Sequence, residues 1–203
     1  MKRADRNKHG LRNLMLFLGG MALLEGNRRW AATFHASSLQ PAEVIGEGSA
    51  ISNGRRVIVE SVLEAAPETV WEWVRRSATF GEIVHPFISF TARDSRPLPT
   101  FWQVGDTVSI NLLGFGLIPL GAHEITIIRV DEDKHEAETR EQGSLTPVWN
   151  HTIRVRPFGE SQTLYTDEID LDAGLLNPLI GHFILFLFRY RQTRLKSLMK
   201  QTN

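Results

Sequence analysis

The 203-residue chain has no cysteine, only 2 tyrosines and 4 methionines, and no net charge. Without cysteine it can hold no disulfide scaffold, no thiolate zinc site and no cysteine nucleophile, although this says nothing about compartment. No apolar run approaches the roughly 20 residues needed to cross a bilayer. The balance of 23 basic against 23 acidic residues disfavours a dedicated nucleic-acid binder, which carries a basic excess. That balance hides a division, since residues 1–40 sum to +5, residues 41–173 to −10 and residues 174–203 to +5. What the chain does have is 42% hydrophobic residues, among them 11 Phe and 5 Trp, enough to fill a core or line a cavity.

The chain opens with a basic stretch, Met1 to Arg12, followed by an apolar run from Leu14 to Leu24 that Gly19 and Gly20 interrupt and Glu25 ends. Three readings stay open for it: an extension ahead of the domain, a membrane-directed segment, and a signal peptide with only Phe34-His35-Ala36 as a poor cleavage site. Residues 37–54, rich in Ser, Gly, Ala and Pro, read as linker. Residues 1–50 are therefore expected to be an N-terminal extension, and residues 51–203 the domain.

From Arg56 to Leu63 a short β-branched run predicts a strand. Ala66-Pro67-Glu68 opens a helix, with Pro67 where a missing N–H costs nothing and Glu68 near the positive helix end. A second helical or irregular piece covers Ser77 to Pro86. Six more strand-like runs follow: Ile88–Arg93, Thr107–Leu113, His123–Val130, Glu136–Gln142, Trp149–Arg156 and Thr163–Leu171. The short connections between them imply an antiparallel meander. Leu175 to about Met199 then forms one long helix, apolar on nearly every side, with five basic residues toward its end. The fold class is α+β, a curved antiparallel sheet of about seven strands with helices packed on it.

Three stretches together resemble the SRPBCC superfamily, the START and pollen-allergen-like helix-grip proteins. Ala66-Pro67-Glu68-Thr69-Val70-Trp71 is similar to the entry into that superfamily's first helix. Trp149-Asn150-His151 and Thr166-Asp167-Glu168-Ile169-Asp170 resemble its W-x-H and T-D-x-V-x patterns, and Phe188-Arg189-Tyr190-Arg191 through Leu198 resembles its terminal helix. Ile153 departs from the pattern, because a second histidine is frequent there. The resemblance covers about residues 55–200 and implies a sheet wrapped around the terminal helix with an elongated apolar cavity between. It further implies either a carrier of lipids, polyketides or similar hydrophobic molecules, or a polyketide cyclase or dehydratase.

A symmetric hairpin turning at Phe158-Gly159-Glu160 would set His151 opposite Asp167, Trp149 opposite Ile169 and Ile153 opposite Tyr165. These residues would share the cavity face, leaving Asn150, Thr152, Arg154 and Arg156 on the other. His151 with Asp167 is then either an acid–base pair oriented by its carboxylate or a structural pair that satisfies itself. Tyr165 is a third catalytic candidate, as a hydrogen-bond donor to a ligand oxygen. The ligand-binding candidates are Trp149, His151, Ile153, Tyr165, Ile169, Phe183 and Leu187. His123-Glu124 lacks the second histidine of a zinc-protease motif, no metal site is expected, and no cofactor is called for. The hairpin Leu112–Gly121 is either an apolar lip with Phe115 and Leu117 exposed or packed on the N-terminal extension, and His85-Pro86 and Trp102, in loops, are rim or packing residues.

Three functions follow as expectations. The preferred one is non-enzymatic binding or transport of a small hydrophobic molecule. The second is a cyclase or dehydratase using His151 and Asp167. The third is a module that touches a membrane surface through its basic termini. The expected location is cytoplasmic, with membrane association through the N-terminal segment left open, and nucleic acid is not expected as a partner.

Overall fold

The computed structural model describes residues 28–94 and 97–202; the stretches Met1–Arg12 and Leu14–Leu24 lie outside them. A single turn of helix, α1 (Arg28–Ala31), leads into strands β1 (Ala36–Ile45) and β2 (Ile51–Leu63). Two short helices follow, α2 (Pro67–Arg75) and α3 (Ser77–Val84). Six strands come next: β3 (Ile88–Ala92), β4 (Thr107–Gly114), β5 (Ile118–Asp131), β6 (Glu136–Gly143), β7 (Val148–Phe158) and β8 (Gln162–Asp172). The last element is the 26-residue helix α4 (Asn177–Thr202).

All eight strands join one antiparallel sheet in the order β1-β2-β8-β7-β6-β5-β4-β3. Strands β3 to β8 run as the expected meander, and the pairing of β8 with β2 adds the β1–β2 hairpin to it. The concave face carries Val57, Val59 and Leu63 of β2, Val155 of β7, and Tyr165, Ile169 and Leu171 of β8, all at most 1% exposed. Against them α4 sets Ile180, Phe183, Ile184, Leu187, Phe188 and Leu195 in one continuous core. A smaller cluster of Ile110, Ile125 and Ile127 packs with Phe80, Phe90 and Trp102 at the β3–β5 end. There a bulge between Ile127 and Arg129 turns Ile128 outward and returns Val130 to the packed side.

The linker reading of residues 37–54 is corrected. Ala36–Ile45 pairs with β2 over its full length. Its composition is poor for a strand, but its position at the sheet edge tolerates Pro41, Leu39 packs on the core, and Val44 is fully buried. The expected boundary at residue 50 thus falls in the turn between two paired strands.

The terminal helix starts two residues later than expected, because Gly174–Leu176 forms a tighter 3₁₀ turn and leaves Leu175 in solvent. Asn177 makes that break. Its Oδ1 accepts the Ala173 N–H at 2.6 Å, while its Nδ2 donates to Asn53 O at 3.1 Å and Asp172 Oδ1 at 3.0 Å. The helix is thereby stitched to both β2 and β8.

Where β1, β2 and β8 converge there is no room beside Gly54: an added Cβ would lie 2.2 Å from Leu171 O and 2.6 Å from a Val44 methyl. The obstructing oxygen is backbone and cannot swing aside. Gly54→Ala is expected to lower stability by about 1–3 kcal/mol. Urea unfolding should show a lower midpoint with an unchanged slope.

Candidate functional site

The β7–β8 hairpin turns through Gly159-Glu160-Ser161, with Gly159 at φ 73°, so Phe158 pairs with Gln162. The expected register is therefore corrected by two residues. His151 stands opposite Ile169, Ile153 opposite Asp167, Trp149 opposite Leu171 and Val155 opposite Tyr165. An even shift keeps every side chain on its face. The diagonal offset still lets His151 Nε2 reach Asp167 Oδ1 at 2.9 Å.

Asp167 is fully buried and is the hub of a polar network. Besides His151, Tyr165 OH donates to its Oδ1 at 3.0 Å and Gln192 Nε2 donates to its Oδ2 at 3.0 Å. A guanidinium nitrogen of Arg191 lies 3.5 Å from Oδ1 and donates to Tyr165 OH at 3.2 Å. Burial alone would raise the Asp167 pKa, but the Arg191 charge and the bonds from His151 and Gln192 hold it below the usual carboxylate range. An ionised carboxylate only accepts, so His151 Nε2 carries its proton toward Asp167. Burial likewise pushes the Tyr165 hydroxyl well above its ordinary value, which keeps it a neutral donor.

A second buried pair lies on β5 and β6. His123 Nε2 and Glu141 Oε2 are 2.7 Å apart, and Thr139 Oγ1 donates to Glu141 Oε1 at 2.6 Å. Burial opposes ionisation of Glu141 too, but the bond and charge of His123, then His151 and Thr139, hold its pKa down. The imidazole fits only because Gly143 stands opposite His123. A Cβ there would come within 2.6 Å of His123 Nδ1.

Between sheet and terminal helix lie two apolar cavities. The larger, ≈ 110 Å³, is bounded by Ile180, Phe183 and Leu187 of α4, by Leu112 and His123 of β4 and β5, and by Trp149 of β7, with Leu145 among its walls. The smaller, ≈ 70 Å³, lies toward α2 and meets Trp71, Thr139, His151 and Ile153. Phe80, Ile125, Glu141 and Arg191 border both and form the partition. Phe188 ties the walls together: its ring is 6.2 Å from Trp149 and 5.1 Å from His151, and the Arg191 guanidinium sits 4.9 Å from its centroid.

Of the residues expected at the site, Trp149, Phe183 and Leu187 border the larger cavity, and His151 and Ile153 the smaller. Tyr165, Asp167 and Ile169 are fully buried behind them and border neither. Sequence reasoning does not single out Glu141, Phe188 or Arg191 as site residues, and it considers His123 only as part of a metal motif. The spacing of Phe183, Leu187 and Arg191 at successive fours puts them on one helix face, and this signal could have found Arg191. Trp102 packs into the smaller cluster and borders the smaller cavity, whereas His85 is exposed and accepts the Tyr190 hydroxyl on its carbonyl at 2.6 Å. In the β4–β5 hairpin Phe115 and Leu117 are exposed, while Leu112 and Leu120 reach the cavity. The basic end of α4 is partly used inside the fold: Arg189 donates to Ser37 Oγ, Arg191 joins the network, and Lys196 donates to Val62 O at 3.2 Å. Among the described residues no helix is long and apolar enough to cross a membrane, and no group of side chains could hold a metal ion.

A family model described as "Domain of unknown function (DUF8410)" matches residues 61–199. No curated protein matches the chain. Among solved structures, a START superfamily protein from Mycobacterium smegmatis aligns with a TM-score of 0.57 and 14% identity, over 73% of this chain and 99% of that one. Protein CV1439 from Chromobacterium violaceum aligns with a TM-score of 0.55 and 14% identity, over 70% of this chain and 96% of that one. Norcoclaurine synthase from Thalictrum flavum aligns with a TM-score of 0.50 and 12% identity, over 77% and 87%. The chain shares the helix-grip fold of these structures.

Because Asp167 and Glu141 have lowered pKa values in the folded state, protons bind the unfolded chain more readily. Their stabilisation is complete above the ordinary carboxylate pKa of about 4 and is lost as pH falls through the lower folded values. Asp167→Asn leaves the Arg191 charge buried without its counter-ion and should cost about 3–5 kcal/mol at pH 7. Urea titrations at pH 7 and pH 3 should show wild type weakening at the lower pH and the variant, already weaker, losing less.

Proposed function

The chain belongs to the family described as Domain of unknown function (DUF8410), and from the cavity inside its helix-grip fold we propose that it binds a small, largely apolar molecule. The observation that carries this reading is the gap left where α4 and strands β4 to β7 fail to meet. Protein interiors pack without voids much larger than a water molecule, so an apolar space of ≈ 110 Å³ inside the core calls for an occupant. Cavities of roughly 150 Å³ take a benzene-sized guest, whereas drug-sized ligands need roughly 300–1,000 Å³. The ligand is therefore small. A whole lipid chain or a fused polyketide would need the partition at Phe80 to move and join the two spaces.

The cyclase or dehydratase reading has less support. Asp167 already receives hydrogen bonds from His151, Tyr165 and Gln192 besides the Arg191 charge, the pattern of a group that braces the fold. His151 borders only the ≈ 70 Å³ space. The membrane-surface reading also has less support, since Arg189, Arg191 and Lys196 have internal partners.

Titration of the full chain with cyclopentane, followed by ¹H–¹⁵N NMR, tests the proposal. Shifts should concentrate at residues around the larger cavity. Leu145 sits half-buried in the loop between β6 and β7, so Leu145→Trp should fill the space from a side that can yield. Affinity is expected to drop at least about tenfold, a loss of roughly 1.4 kcal/mol, with the thermal midpoint nearly unchanged. Shifts scattered over the surface and indifferent to Leu145→Trp would remove the cavity from consideration.

A further inference from the structure

Two buried donors beside the larger cavity have no acceptor. Trp149 Nε1 and Arg191 Nε are both shielded from solvent and both lack a hydrogen-bond partner, and both residues border the larger cavity. Arg191 as a whole is only 6% exposed. An indole N–H and a guanidinium N–H can only donate, and leaving such donors buried and unmet is costly. The nearby acceptors are engaged: Glu141 by His123 and Thr139, Asp167 by His151, Tyr165 and Gln192. The unmet need on this wall is for an oxygen acceptor.

The charge of the wall decides what kind of oxygen. Two ionised carboxylates, Asp167 and Glu141, face one permanent cation, Arg191, so the balance is −1 with both imidazoles neutral and zero with one protonated. Glu141 itself borders the cavity. An anionic head group would be repelled by it, and a cationic one would meet donors where it needs acceptors. We infer that the ligand of the larger cavity is an apolar molecule bearing a neutral hydrogen-bond acceptor, a ketone, aldehyde or ester oxygen, which the Trp149 and Arg191 N–H groups receive. This rests on the cavity reading above and adds its polar recognition.

Three probes of matched size separate the possibilities: cyclopentane, which is wholly apolar, cyclopentanone, which has a neutral carbonyl, and butanoate, an anion. Each is titrated into the full chain and into Trp149→Phe at pH 7. Cyclopentanone affinity should fall about 3- to 10-fold in the variant, the scale of one hydrogen bond, while cyclopentane stays within about twofold. Butanoate should bind at least about tenfold more weakly than cyclopentanone to wild type. In wild type the indole N–H resonance of Trp149 should move downfield with cyclopentanone and not with cyclopentane, a readout that does not depend on the variant folding. If cyclopentane binds but cyclopentanone is indifferent to Trp149→Phe, or both probes weaken equally, the cavity reading stands and the acceptor inference is overturned. Butanoate binding more tightly than cyclopentanone overturns it as well. If none of the three binds, both readings fall.

Discussion

The buried carboxylate of Asp167 is the constraint on which the rest of this structure depends. An ion removed from water must be given back its hydrogen bonds and a counter-charge, or it will not stay ionised. Here they come from three elements at once: His151 on β7, Tyr165 on β8, and Arg191 with Gln192 on α4. Gln192 also donates to the Val59 carbonyl, which adds β2 to the same knot. Meeting all these bonds fixes the rotation of α4 about its own axis. With Arg191 turned to the sheet, Leu187 and Phe183, one and two turns earlier, must face the same way, and they become the helix wall of the larger cavity.

Polar groups in that wall divide the interior as well as hold it. Glu141 and Arg191, with Phe80 and Ile125, stand between two small spaces where the superfamily resemblance implied one elongated cavity. Side chains of this kind are seldom enclosed by apolar surface without partners. Glu141 has its partners in His123 and Thr139, whereas Arg191 is bonded on one side only. The asymmetry marks the partition as the place where the protein's own bonding is incomplete.

Much of this architecture was legible along the chain. The alternation in Trp149–Val155 and Tyr165–Leu171 identified an inward face, and that face survived because the hairpin register was off by an even number of residues. The register itself was not legible, since three-residue loops centred on Gly159 and on Glu160 use the same Gly-Glu signal. β1 escaped notice because Ser, Gln, Glu and Pro are poor strand formers, and only the open edge of β2 makes a strand of them. The contact of His151 with Asp167 was anticipated, but not that it would lie behind the cavity wall. That depends on how deeply each strand sits under α2 and α4, a tertiary matter. Charged residues near a helix end read as solvated by default, so Arg191 was counted with a surface cluster although its spacing from Leu187 placed it on the apolar face.

The way α4 is held also bears on how anything gets in. The helix is tied at Asn177 to β2 and β8, near its middle by Arg189 to β1 and Tyr190 to the turn after α3, and farther along by Gln192 and Lys196 to β2. Tilting it would break all of these together. The opposite boundary, from Gly143 through Leu145 to Thr146, is a short connection closed by the Gly143 N–H on Thr146 O and tied to β5 at Ala122, through Ser144. For the guest proposed above, that connection is the side that yields with fewer bonds broken, and residence in the cavity would then be a property of a few loop residues rather than of the helix that gives the fold its name.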